Sequence, residues 1–165
     1  MSDPLVEPLY VISLEEVFWG GVLVATTMTV HGFGMLAVLG VNRRLKRWSE
    51  SGTRLLSGLF PVILAGWMIM IVHLVEVMIW AAFFLWVDAF PNASVAYYFS
   101  LNEYTTVGSK FALPQNYRLL EGMIATAGML AFAWSTGVLF TLAKAFQDRQ
   151  IQAYRLPGDD GNADG

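Results

Sequence analysis

The chain has 165 residues, of which 56% are hydrophobic and only 14% charged, with a net charge of −3. A soluble domain carries about a quarter charged residues, so this composition excludes an ordinary water-soluble fold and points to the bilayer. Cysteine is absent, which excludes a disulfide framework or thiolate metal site and leaves the redox compartment unread.

Residues 1–16 carry Asp3, Glu7, Glu15 and Glu16 and read as an extracytoplasmic N-terminus. The acidic start, with no short apolar core before a small-residue cleavage site, argues against a secretory signal. Residues 17–54 comprise a first span, from about Val17 to Val41, and a basic loop holding Arg43, Arg44, Lys46, Arg47 and Arg54. Basic residues concentrate on the cytoplasmic side, which orients the chain with its N-terminus outside.

Residues 55–146 hold a second span, Leu55 to Val87, and a third, Leu119 to Phe146. Each exceeds the roughly 20 residues a helix needs to cross a hydrocarbon core. Between them, residues 88–118 are too broken to cross again, yet Ala93 to Tyr104 offers a short apolar, aromatic helix. That length suits a re-entrant segment, tolerated only where protein or a water-filled cavity surrounds its backbone. Residues 147–165 read as a cytoplasmic tail, disordered in its Gly- and Asp-rich end. The predicted fold is an all-α integral membrane protein with three transmembrane helices, a re-entrant pore helix and a filter-like loop. No internal repeat is visible, so a symmetric pore needs separate chains.

The segment Tyr97-Tyr98-Phe99-Ser100-Leu101-Asn102-Glu103-Tyr104-Thr105-Thr106-Val107-Gly108 resembles the pore helix and the first half of the selectivity filter of potassium channels. From about His73 to Phe140 the chain resembles small bacterial members of the two-transmembrane potassium-channel family, with one extra N-terminal helix. The resemblance implies a homotetramer in a bacterial-type inner membrane, with the lipid bilayer as its other partner and no nucleic acid. It also implies an ion pathway along Thr105, Thr106, Val107, Gly108, Ser109 and Lys110, and a monovalent cation, K+ or Na+, as the permeant species without a resident cofactor. Backbone carbonyls and hydroxyls replace the water shell of the ion in such filters.

Two departures stand inside the motif. Ser109 replaces the aromatic wedge of the family, and Lys110 replaces its second glycine, bringing a cation to the mouth. Both imply altered or weak selectivity. Glu103, Arg118 and Glu121 are candidate supports of the pore loop, with Glu103 either pairing Lys110 or bonding backbone amides. Gly128 stands where the family places a gating hinge, although glycine also serves close helix packing. His31, His73 and Glu76 are intramembrane polar residues that can hold a divalent metal or hydrogen-bond between helices. No nucleophile with a base, phosphate-binding glycine loop or water-accessible acid pair points to an enzyme. The two functional readings are a channel-like pore and a non-conducting homologue acting as a membrane partner, sensor or metal-binding protein.

Overall fold

The structure, a computed structural model, describes residues 11–49 and 55–154. Four helices build it: α1 Leu14–Ser49, α2 Leu55–Trp86, α3 Ala93–Tyr104 and α4 Leu119–Tyr154, with a single 3-10 turn at Gln115–Tyr117. No strand occurs among the described residues. α1, α2 and α4 are each long and apolar enough to cross a membrane. The protein is therefore an all-helical membrane-embedded chain with three candidate spans.

α1 and α4 run further than their apolar cores. α1 carries Arg43, Arg44, Lys46 and Arg47 before it ends at Ser49, so these residues extend a helix where the sequence suggested a loop. Lys and Arg are good helix formers, and nothing in this stretch stops the turn. Arg54 lies outside the described residues. α4 likewise passes through the boundary expected at 146 and 147 and continues to Tyr154; residues 155–165, including the Gly- and Asp-rich end, lie outside the described residues, as do 1–10.

α1 starts with a capping box. Ser13 Oγ accepts from the Glu16 amide at 3.1 Å, and Glu16 Oε2 accepts from the Ser13 amide at 3.1 Å. The other carboxylate oxygen accepts from the Leu119 amide at 3.2 Å, so one buried side chain caps α1 and fastens the start of α4 beside it. α2 ends in a Schellman motif: the Asp88 amide donates to Leu85 O and the Ala89 amide to Phe84 O, with Asp88 left-handed at φ 51. Asp tolerates that conformation better than most residues.

α3 is short, but it is held on two sides. Asn92 caps it by accepting from the Val95 amide at 3.0 Å. Phe99 is fully buried, 5.4 Å from the Phe84 ring of α2 and 4.8 Å from Phe90. Lipid chains are as apolar as these rings, so their close packing, and not escape from water, is what favours the contact. On the other side, a Cβ built on Gly128 of α4 would meet the Tyr104 carbonyl carbon at 2.9 Å. Counting back from Trp86 to Glu76, which bonds Tyr104, at ~1.5 Å per residue places the end of α3 about 15 Å below the end of α2. Counting from Leu119 to Gly128 in the same way gives about 14 Å. α3 thus descends between α2 and α4 and stops beside their middles.

Candidate functional site

Two groups of polar residues meet at the lower end of α3. One is the loop that follows the helix and the other is a buried side-chain cluster behind it.

The loop begins as a second Schellman motif. The Thr106 amide donates to Glu103 O at 2.9 Å and the Val107 amide to Asn102 O at 2.9 Å, with Thr106 left-handed at φ 61. The Thr105 and Gly108 amides also turn back, onto Leu101 O and Asn102 O, and the Ser109 amide donates to Glu103 Oε1 at 2.8 Å. Five consecutive amides, from Thr105 to Ser109, are therefore spent on α3. Among the described residues, no hydrogen bond ends on the carbonyl of any of these five. Thr106, Val107 and Gly108 are exposed, Val107 at 74%.

Glu103 supports this turn through the Ser109 amide. Burial raises its pKa, the hydrogen bond from Ser109 opposes that rise, and the Glu121 carboxylate adds to it. Glu121 Oε1 accepts from the Leu113 amide at 2.8 Å, so two carboxylates hold the loop from its two sides. Lys110 does not pair with Glu103. Its ammonium lies 5.3 Å from the Phe111 ring centroid, and Lys110 lines a shallow pocket with Ser94, Val95 and Tyr98 of the first turns of α3. The reason is local: the Ser109 amide already occupies Glu103, and Phe111 folds back onto Tyr98 at 6.1 Å and draws Lys110 outward. Arg118 is exposed and forms no ion pair among the described residues; it ends the 3-10 turn, and it meets Glu121 through the backbone alone, its carbonyl accepting from the Glu121 amide at 3.3 Å. Gly128 serves close packing against Tyr104, within an unbroken helix.

The cluster behind the loop unites His31 of α1, His73 and Glu76 of α2, Tyr104 of α3 and Ser135 of α4, all buried. Their polar atoms close a ring. His31 Nδ1 is 2.9 Å from Glu76 Oε1, the Tyr104 hydroxyl donates to Glu76 Oε2, and His73 Nδ1 is 2.9 Å from that hydroxyl. His73 Nε2 is 3.1 Å from Ser135 Oγ, which is 3.4 Å from His31 Nε2. Trp80 Nε1 donates to Thr27 Oγ1 about one turn nearer the end of α2, adding a second buried link between α1 and α2. Phe132 stacks on His73 with centroids 4.4 Å apart, and Trp134 stands 5.4 Å from His31.

His31, His73 and Glu76, singled out from the sequence, do come together. Tyr104 and Ser135 complete the arrangement and were not expected in it. Tyr104 is part of the filter-like motif, so it carried a signal, but one tied to another role. A groove of about 360 Å³ reaches the cluster from the side of Thr105, with His73, Tyr104, Phe132 and Ser135 in its wall. No family model, curated protein or solved structure matches the chain. Function has to be read from the residues.

Proposed function

We propose that the chain is one protomer of an oligomeric, channel-like membrane protein whose Thr105 to Lys110 loop lines a path for monovalent cations. The observation that carries this reading is the one-sided chemistry of the loop. Five successive amides are bound to α3, while the five carbonyls that accompany them accept no hydrogen bond among the described residues and stand about 15 Å below the helix ends. Backbone at that depth is not tolerated against lipid, and a surface of free carbonyl oxygens suits a cation or water. Several chains around an axis, a homotetramer by the resemblance, would give those carbonyls such surroundings.

Selectivity for potassium over sodium is weak in this reading. Ser109 cannot wedge the loop as an aromatic ring does, and Lys110 places positive charge at the outer mouth, where like-charge repulsion of an incoming cation amounts to several kcal/mol at an effective dielectric near ~20. The positive-inside pattern puts the N-terminus outside and the C-terminus in the cytoplasm of a bacterial-type inner membrane.

Purified protein in planar bilayers under potassium, sodium and chloride gradients tests the proposal. The expected result is cation current with similar potassium and sodium permeabilities. Because the chain has no cysteine, Val107→Cys gives a single thiol, and a charged thiol reagent should block that current. Folded, oligomeric protein that passes no cations, or a current indifferent to modification at position 107, overturns the reading.

A further inference from the structure

We propose that His31, His73, Glu76 and Tyr104 form a binding site for a divalent first-row transition-metal ion, zinc in the first instance, with Ser135 orienting both imidazoles. The site is proposed whether or not the loop conducts.

The donor atoms already face one another. One ligand atom from each of His31, His73 and Glu76 lies within 4.8 Å of the other two. His31 Nδ1 is 2.9 Å from Oε1 and His73 Nδ1 is 3.4 Å from Oε2. Ligands at ~2.0–2.2 Å from a tetrahedral ion stand about 3.3 to 3.6 Å apart, so the two imidazole–carboxylate separations need small adjustments and the set as a whole closes in from 4.8 Å. The Tyr104 hydroxyl, 2.9 Å from His73 Nδ1, stands where a fourth oxygen ligand belongs. Four donors from three helices thus surround one point.

The other side of each imidazole is compatible with the tautomer that a metal requires. Both Nε2 atoms approach the single oxygen of Ser135, and the Ser135 hydroxyl has Met35 Sδ, 4.0 Å away, as an acceptor for its own hydrogen. A serine oxygen has two lone pairs, which match two incoming N–H groups. With both rings protonated at Nε2, both Nδ1 lone pairs aim at the Glu76 carboxylate. Lone pairs and a carboxylate so placed repel unless a cation lies between them. A ligating histidine ordinarily donates its second N–H to an outer-shell acceptor, the role Ser135 fills here twice.

Charge points the same way. A buried carboxylate inside a membrane bundle needs a positive partner, and among the described residues only the two histidines, charged only if protonated, stand within ion-pair distance of Glu76. Two imidazoles, one carboxylate and one phenol make a mixed nitrogen and oxygen set of the kind zinc, cobalt and nickel accept, whereas magnesium and calcium favour oxygen alone. The groove along His73, Tyr104 and Ser135 gives the ion a way in.

The test uses the full chain without a polyhistidine tag, purified in detergent, stripped with a chelator and exposed to zinc or to cobalt. The expected result is about one ion per chain by elemental analysis, a visible cobalt spectrum of tetrahedral type, and an X-ray absorption signature of two imidazoles on zinc. Ser135→Ala should retain the cobalt spectrum but bind about 10- to 100-fold more weakly. Glu76→Gln combined with His31→Ala should abolish uptake. If folded wild-type protein takes up neither metal, the proposal fails. It fails equally if binding persists in the combined variant, or if zinc lacks the imidazole signature.

Discussion

A Cβ built on Gly128 would stand 1.9 Å from the carbonyl oxygen of Tyr104. The C-terminal end of α3 therefore rests on bare backbone of α4, and the position of the loop that follows is set at that contact. Gly128→Ala should push the two helices apart and cost about 1 to 3 kcal/mol, the range for overpacking. Gly137→Ala, with nothing within 4 Å of the added carbon, should be neutral or gain up to about 1 kcal/mol. Thermal unfolding in detergent, followed by tryptophan fluorescence, separates the two; equal effects would return Gly128 to the role of a hinge.

Thr106 occupies the left-handed position that usually belongs to glycine in this motif. A β-branched residue there costs about 1 to 2 kcal/mol, of which the extra chain entropy of glycine cancels about 0.5 to 1. Thr106→Gly should therefore raise the unfolding temperature slightly, while Thr106→Val should not. A loss on mutation to glycine would mean that the segment is extended, as an ordinary filter residue would be.

Glu103 and Lys110 have separate partners, the Ser109 amide and the Phe111 ring. Their effects on stability should add within about 0.5 kcal/mol in a double-mutant cycle of Glu103→Gln and Lys110→Ala. The pH dependence has a definite sign. A carboxyl whose folded pKa is raised contributes stability below its unfolded value, and that contribution is lost as pH rises through the folded value. Glu103→Gln should thus be at least as stable as wild type at neutral pH, and the difference should vanish below about 4.5, the ordinary glutamate value. Non-additive cycles or a difference that grows on acidification would contradict the assignment.

The three spans were legible because length and apolarity alone decide them. Ala93 to Tyr104 was equally readable, since a helix that short and that aromatic has few alternatives. The cluster was legible only in part. His73 and Glu76 share a face of α2 by spacing, but the face that α1 or α4 turns inward is not written in a helix that is apolar all round, because no polar stripe marks its outside. His31 could therefore be named and not placed, and Ser135 was not singled out. The direction of Lys110 depended on the contact of Phe111 with Tyr98, a loop geometry that no periodicity records.

Glu16 touches two helix starts, accepting from Ser13 in its own capping box and from Leu119 at the head of α4. Loss of an ordinary cap costs about 1 kcal/mol. Glu16→Ala should exceed that, by about a further 1 kcal/mol for the freed Leu119 amide, and Glu16→Gln should restore most of it. Hydrogen exchange should locate the damage at the starts of both α1 and α4. Damage confined to α1 would show that the link to Leu119 contributes little.

Tyr104→Phe removes one oxygen and keeps the aromatic packing against His73 and Phe132. Glu76 Oε2 loses its donor and His73 Nδ1 loses its neighbour, and both residues are buried. Leaving buried polar groups unsatisfied costs about 1 to 3 kcal/mol, so the variant should unfold at a clearly lower temperature although it is more apolar. Zinc should separate the two roles of the phenol. With a metal in place, His31, His73 and Glu76 retain three bonds to it, and the deficit of the variant should shrink on loading, since a ligand that binds only the folded state stabilises it. A deficit unchanged by zinc would assign Tyr104 to the hydrogen-bonded ring alone, and an unfolding temperature equal to wild type would remove it from the cluster altogether.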